Sequence, residues 1–463
     1  MEEEELYRDR LSTVDEEGKR KWIYPKKPGG KFTKWRNWVS YSLLVFLVLA
    51  PFLKIKGEQL IMLNFPARKF TFFGEVFWPQ DFYIFVIVML AALVFIVLFT
   101  VVYGRVFCGW VCPQTIFMEM VFRKIEYWIE GDWKQQMRLN KAEWDQTKIL
   151  KKASKHTIFA LFSFLIANIF LAYIIGSDEL LRIVTEPVSQ HVIGFISIVI
   201  FSGIFYFIFA HFREQVCTNI CPYGRLQGVL LDNKSIVVAY DYERGEQRGL
   251  FRKNEDRNEA GKGDCIDCHQ CVNVCPTGID IRNGTQLECV NCTACIDACD
   301  HMMENVGLDK GLIRYASEEE IKTGEKQGFN FRAIAYTIVL FGLLVFMSFL
   351  IFNRSEIDTT VLRTPGKLYY KKVEGKISNM YNYKLIAKGN KDYNPEIRLE
   401  GMKGEIELIG NAIFVPRHEK AEGIFFVHID RDELTSGKNN IVLGIYDEEG
   451  KRIETVKVGF FAP

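Results

Sequence analysis

Eight cysteines between Cys265 and Cys299 fall into two runs with the same rhythm. The first is Cys265-x-x-Cys268-x-x-Cys271-x-x-x-Cys275-Pro276, and the second is Cys289-x-x-Cys292-x-x-Cys295-x-x-x-Cys299. Three thiolates on one short loop suit three irons of a cubane, and the fourth cysteine of each run reaches across to the other cluster. The spacing predicts two 4Fe-4S clusters, one held by Cys265, Cys268, Cys271 and Cys299, the other by Cys289, Cys292, Cys295 and Cys275. Two rival readings explain it less well. Zinc ligands come in pairs rather than triplets, and a disulfide scaffold needs no fixed two-residue rhythm. Such a chain moves electrons.

Four cysteines remain, in two similar motifs. Cys108-Gly109-Trp110-Val111-Cys112-Pro113 and Cys217-Thr218-Asn219-Ile220-Cys221-Pro222 each read C-x-x-x-C-P. Cysteines four apart on a helix share one face, and the proline ends the hydrogen-bond ladder there. Together the two pairs offer four soft thiolates, a ligand type that suits Cu(I) and iron-sulfur clusters. The spacing does not choose between those metals. Small cysteines packed at helix ends are the plainer alternative, which the duplication disfavours.

The elements that position these cysteines span a membrane. The chain has 463 residues, more than the cluster loops need. Its 58 basic and 57 acidic residues balance, which gives no argument for a nucleic-acid partner. Five stretches read as long and apolar enough to cross a bilayer: residues 38–53, 82–103, 157–176, 192–212 and 333–352. The first is the shortest. Both C-x-x-x-C-P motifs follow a span. Lys and Arg crowd the flank before the first span and the segment from Arg105 to Lys155, whereas the turn between the third and fourth carries only Arg182. By the positive-inside rule the amino end and the cluster insert face the cytoplasm, and the tail after the fifth span lies outside. The acidic opening at residues 2–5 and the late first span argue against a cleavable signal peptide. All 12 cysteines lie between Cys108 and Cys299 and none in the tail, consistent with a reducing compartment.

Residues 1–36 read as a mostly flexible tail. Met118, Val121, Phe122, Ile125, Trp128 and Ile129 recur at helical spacing with charges between them, as an amphipathic helix on the inner membrane surface or a packed soluble helix. Beyond residue 354 the pattern alternates, as in Tyr381-x-Tyr383-x-Leu385-x-Ala387 and Ile441-x-Leu443-x-Ile445. Turn signals such as Lys388-Gly389-Asn390 separate the runs, which predicts a β-sandwich. The predicted fold is thus a multi-domain membrane protein. It has a tail (1–36), a four-span region (37–212), a cytoplasmic segment (213–331) with an α+β two-cluster ferredoxin at about 260–305, a fifth span (332–353) and a β-sandwich (354–463).

With both C-x-x-x-C-P motifs and the ferredoxin insert present, the chain resembles the cytochrome c oxidase accessory protein family, CcoG/FixG/RdxA. The likeness is clearest at residues 104–114, 214–227, 263–281 and 288–300 and at Gly311-Leu312-Ile313-Arg314-Tyr315. Asn382-Tyr383-Lys384-Leu385 stands where the family's immunoglobulin-like carboxyl domain has its signature. The resemblance implies an inner-membrane protein that assists assembly of a cbb(3)-type oxidase. It further implies reduction of Cu(II) to Cu(I), with copper at Cys108, Cys112, Cys217 and Cys221, and oxidase subunits or copper-delivery proteins as partners. The electron donor is left open between a cytoplasmic carrier and a quinol. One departure is His269, where ferredoxins commonly carry glycine, a change that bears on hydrogen bonding around the cluster.

Two other functions fit the same residues. A quinol dehydrogenase feeding a periplasmic reductase would share the C-x-x-x-C-P pairs and the insert, but such proteins typically have four spans and end near the clusters. A non-enzymatic copper carrier or scaffold would use the clusters structurally. His301, Met302 and Met303, beside Cys299, read as ordinary packing below the cluster.

Overall fold

A computed structural model describes residues 13–14, 17, 19–253, 255–257, 259–325, 331–366, 369–371, 375–389 and 391–463. The acidic opening at residues 2–5 and the turn residue Asn390 lie outside them. Among the described residues, four helices are long and apolar enough to cross a membrane: Pro79–Tyr103, Gln146–Ile175, Val192–Phe212 and Phe331–Phe352. They cover four of the five expected stretches. The first stretch differs. Its helix is Lys31–Leu49, shifted toward the amino end, so its opening turns carry Lys31, Lys34 and Arg36. Pro51 follows its C-cap Ala50, which is still helical, and has no N–H with which to extend the hydrogen-bond ladder.

The chain divides into two compact units. In the first, the segment after the first C-x-x-x-C-P motif forms a π-turn, Phe117–Phe122, running into a helix, Arg123–Ile129. It does not lie flat on a surface. Phe117, Met118 and Phe122 pack with Phe159, Ile166 and Phe209, and the rings of Phe122 and Phe209 stack with centroids 4.4 Å apart. Its charged face is buried as well. Arg123 pairs with Glu119 at 3.2 Å and Glu214 at 3.5 Å, Glu126 with Arg213 and Lys155, and Glu130 with Lys152 and Lys155 at 2.9 Å each. Burial alone would raise the Glu126 carboxyl, but Arg213, Lys155 and Arg123 outweigh it and hold it below the usual carboxylate range.

The expected flexible tail is also bound from residue 20 onward. Asp297 accepts from the backbone N–H groups of Phe32 (3.0 Å) and Thr33 (2.7 Å) and from the Thr33 hydroxyl (2.7 Å). A carboxylate there satisfies orphan donors at a helix start and complements the helix dipole. The partner sits some 265 residues away, which is why local sequence gave no sign of it. The ferredoxin region is larger than residues 260–305. Antiparallel strands Val237–Tyr240 and Ile313–Ala316 close over it, and Val238, Tyr240, Leu312 and Ile313 join its core.

The second unit holds residues 52–87 and 345–463, with three residues of the Gln146–Ile175 helix. Its carboxyl part has two antiparallel sheets. One runs Gly404–Ile409, Lys420–Asp430, Lys376–Ala387, Ile357–Arg363, with Tyr370–Lys371 also paired to Lys376–Ala387; the other runs Glu396–Glu400, Gly437–Tyr446, Arg452–Ala462. The alternating residues meet between them: Tyr381, Leu385, Phe425, Leu443, Ile445 and Phe460 are fully buried. Residues 52–87 add a meander, Ile61–Asn64, Lys69–Phe72 and Glu75–Phe77, which the sequence reading missed. Asp81, just after it, is clamped by Arg354 at 2.5 Å and Lys388 at 2.7 Å, and Lys388 also reaches Asp358 at 3.1 Å.

Candidate iron-sulfur and thiol centres

Each C-x-x-C-x-x-C run must wrap a loop tightly enough to aim three sulfurs inward. The backbone does this twice in the same way. Asp267 and His269 in the first loop, and Asn291 and Thr293 in the second, take φ between 51° and 64°. That left-handed region favours glycine, which accounts for the glycine common at the position of His269. The His269 ring turns outward, with Nδ1 2.9 Å from Arg282 and Nε2 3.3 Å from Asp267.

Two small cavities open between the loops. The first is lined by Cys265, Cys268, Cys271 and Cys299, closed by Tyr240, Met303 and Leu312. The second is lined by Cys275, Cys289, Cys292 and Cys295, with Cys271 on the shared wall. The helix Ala294–Val306 supplies Cys295 to one and Cys299, one turn later, to the other. Four thiols and a largely apolar remaining wall in each cavity suit the 4Fe-4S group, with Arg282 and His269 on the first and Thr277 and Thr293 on the second as the polar exceptions. Burial pushes the free thiols of Cys271 and Cys289 up to about 12, so loading must expel protons. Met303 is buried against the first cavity and His301 bonds Asn305, in line with a packing role.

The C-x-x-x-C-P motifs depart from the expected shared helical face. Cys108 lies in a short helix, Val106–Trp110, and Cys217 in a π-turn, Val216–Ile220. Cys112 and Cys221 each sit outside that turn, in an extended conformation before a proline that starts the next helix. In both motifs the second cysteine's N–H reaches back five residues, to Phe107 (2.9 Å) and Val216 (2.8 Å). The proline thus begins a new helix as well as ending the old one.

The two motifs are neighbours in space. Arg105 ties them, donating to the Gly224 carbonyl at 2.6 Å, to Gln227 at 3.0 Å and to the Cys289 carbonyl at 3.3 Å. The Cys108 thiol donates to Gln227 at 3.1 Å. Burial pushes Cys108 up to about 11 and Cys217 up to about 12, with a smaller upward push on both from the neighbouring sulfurs. Cys108 and Cys217 pack against a buried cluster of Val274, Val290, Cys292 and Ala294, of which Val290 and Cys292 also line the second cavity. Gly109 makes this approach possible, since a Cβ there would lie 2.5 Å from the Val290 carbonyl oxygen. Among the described residues, no group of three or more His, Cys, Asp or Glu side chains is drawn closely enough to hold a single metal ion. Arg105, Gln227 and Gly109 were missed as site residues, although all three lie inside stretches that carried the resemblance.

Comparison with known proteins agrees with this architecture. Residues 212–318 match the family described as a 4Fe-4S dicluster domain, residues 85–134 a 4Fe-4S binding domain, and residues 347–463 the Ig-like fold at the C-terminus of FixG. Protein RdxA of Cereibacter sphaeroides is 32% identical over 463 aligned residues, covering 95% of this chain and 97% of that protein. RdxB of the same organism is 34% identical, covering 82% and 83%. Nitrogen fixation protein FixG of Rhizobium meliloti is 34% identical, covering 65% of this chain and 58% of its own. A crystal structure of a FixG-related protein from Vibrio parahaemolyticus aligns at 22% identity and a TM-score of 0.20, over 23% of this chain and 97% of that one. On the strength of RdxA and RdxB along most of its length, this chain belongs to the FixG/RdxA family of membrane iron-sulfur proteins.

Proposed function

We propose that this protein reduces Cu(II) to Cu(I) at Cys108, Cys112, Cys217 and Cys221, in support of cbb(3)-type oxidase assembly. In this reading Cys265, Cys268, Cys271 and Cys299 hold one 4Fe-4S cluster, and Cys289, Cys292, Cys295 and Cys275 the other. The ferredoxin region faces the cytoplasm and the β-sandwich the periplasm of a bacterial inner membrane, with oxidase subunits or copper-delivery proteins as partners. The clusters, when bound, supply single electrons at low potential. The observation that carries the reading is the packing of Cys108 and Cys217 on the wall of the second cavity. An electron leaving that cavity meets soft sulfur first. Copper is the substrate: one electron converts each Cu(II) to Cu(I), the softer ion, which thiolates hold better. Gln227 orients the Cys108 sulfur and Arg105 offsets the thiolate charge.

The test is an anaerobic copper titration with Cu(I)-specific detection, on the wild type and on the variant carrying serine at all four of these positions. Both proteins should carry about eight irons, because serine there removes no cluster ligand. The variant should neither bind nor reduce copper. Equal binding and reduction in the two would sink the copper assignment.

A further inference from the structure

A cavity of about 560 Å³ in the first unit belongs to neither thiol set. It lies between the helix Lys31–Leu49 and the segment 117–129, and small-ligand cavities commonly span about 300–1,000 Å³. The charge of its wall is one-sided. Lys27, Arg36 and Lys124 line it, and among the described residues none of the three has an ion-pair partner. Its one carboxylate, Glu119, is already paired with Arg123 at 3.2 Å. Asp132 accepts from the Lys27 backbone N–H at 2.9 Å but is not in the wall. Lys124 gives its ammonium to two neutral groups, Asn37 Oδ1 at 3.1 Å and the Tyr41 hydroxyl at 2.7 Å, which leaves one of its three donors and its whole charge. Arg36 is buried with its Nε on the Gly109 carbonyl, so it supplies charge rather than a contact. Three cations around one cavity repel one another, and an anion between them removes that cost. We propose that this cavity binds the phosphate headgroup of an anionic phospholipid.

The surroundings select a lipid over a free anion. Asn37, in the wall, shares one face of its helix with Tyr41, Val45 and Val48, at the spacing i, i+4, i+8 and i+11. Those three side chains are exposed, so an apolar strip leads away from the cavity. At 1.5 Å per residue, Val45 and Val48 lie roughly 12–17 Å further along the axis, within reach of an acyl chain. Trp128, also in the wall, is 79% exposed, as aromatic side chains are at a membrane–water interface. A basic pocket where apolar helices meet the cytoplasm is a setting for anionic headgroups. Lys27 and Lys124 are the contacting donors, and the strip takes a chain.

Occupancy has a consequence for the ferredoxin region. Thr33 of the same wall donates its N–H and its hydroxyl to Asp297, each at 2.7 Å, on the helix Ala294–Val306 that carries Cys295 and Cys299. A lipid seated here holds the start of the helix Lys31–Leu49, and with it the ferredoxin region, at the membrane surface. The site depends on neither the copper nor the cluster assignment.

The test is a lipid titration of the full chain in neutral detergent, read by native mass spectrometry. The probes are dioleoyl phosphatidylglycerol, dioleoyl phosphatidylcholine and inorganic phosphate. One phosphatidylglycerol should bind saturably, roughly tenfold or more tighter than either of the others. Lys27→Gln with Lys124→Gln should weaken it by roughly tenfold or more, with iron content and unfolding temperature unchanged. Should Lys124→Gln disturb the fold, Lys27→Gln alone, at an exposed position, should still weaken binding severalfold. Lys134→Gln with Lys141→Gln removes the same charge from exposed positions on the helix Trp133–Lys141 and should leave the affinity within about twofold. Equal losses in the two pairs would mean diffuse surface attraction and overturn the site. Phosphatidylcholine bound as tightly as phosphatidylglycerol would overturn the charge selection, and inorganic phosphate bound as tightly would overturn the lipid.

Discussion

Gly109→Ala probes the coupling between the thiol site and the second cluster cavity. An added Cβ would lie 2.5 Å from the Val290 carbonyl oxygen and 2.9 Å from the Asn291 carbonyl carbon and oxygen. Ordinary contact begins near 3.4 Å, so the short helix and the cluster loop must part by about 0.9 Å. All three atoms are backbone, so no side chain can rotate aside. Overpacking of this kind costs about 1–3 kcal/mol, and the helix-propensity gain of alanine over glycine offsets roughly 1 kcal/mol of it. The protein should fold, with its sulfurs displaced. Gly203→Ala is the control, because nothing lies within 4 Å of its Cβ position. Dithionite-reduced protein would be mixed with Cu(II) in an anaerobic stopped flow, following the return of cluster absorbance. Gly109→Ala should reoxidise severalfold more slowly than wild type and the control, with iron content and Cu(I) affinity unchanged. An unchanged rate with normal iron would refute the idea that the packing of the Cys108 segment against the second cavity's wall carries the electron.

Three further outcomes are expected. A reporter fused after Pro463 should be active only outside the cytoplasmic membrane and one inserted near Arg257 only inside; activity on the same side at both would overturn the proposed orientation. Asp81→Ala leaves Arg354 and Lys388, 8% and 5% exposed, without their shared carboxylate, and should cost about 3–5 kcal/mol in denaturant unfolding of the second unit; a loss under about 1 kcal/mol would show the clamp to be solvated. Burial raises Cys108 to about 11 and Cys217 to about 12, so near neutrality both hold protons that a metal must displace. Cu(I) affinity should therefore rise with pH between 6 and 8, by roughly tenfold per unit for each thiol displaced. A flat profile against a competing chelator would mean that these thiols are not ligands.

Short-range chemistry was legible in the sequence and long-range pairing was not. The cysteine rhythm announced cluster loops because each C-x-x-C-x-x-C run lies within seven residues of chain, and four apolar helices announced themselves by composition. The alternating tail strands read correctly because each buries one face. The segment around Arg123 stayed open in the sequence between a membrane-surface helix and a packed one, because charges at helical spacing normally mark a solvated face. Here their partners, Lys152, Lys155, Arg213 and Glu214, come from distant segments that no local pattern joins. The amino-terminal tail misled for the same reason, since Asp297 holds it. The meander at residues 61–77 was overlooked because its strands are three or four residues long, too short for alternation to register.

The Asp81 clamp also imposes an order on the making of this protein. Asp81 emerges from the ribosome 273 residues before Arg354 and 307 before Lys388. At about 5–20 residues per second, that is a wait of roughly 15–60 s. Throughout it the early loop presents a carboxylate without its native cations, beside strands already able to pair. Only a chain translated into its last domain can neutralise that charge. A product cut short before residue 354 lacks both cations that pair with Asp81.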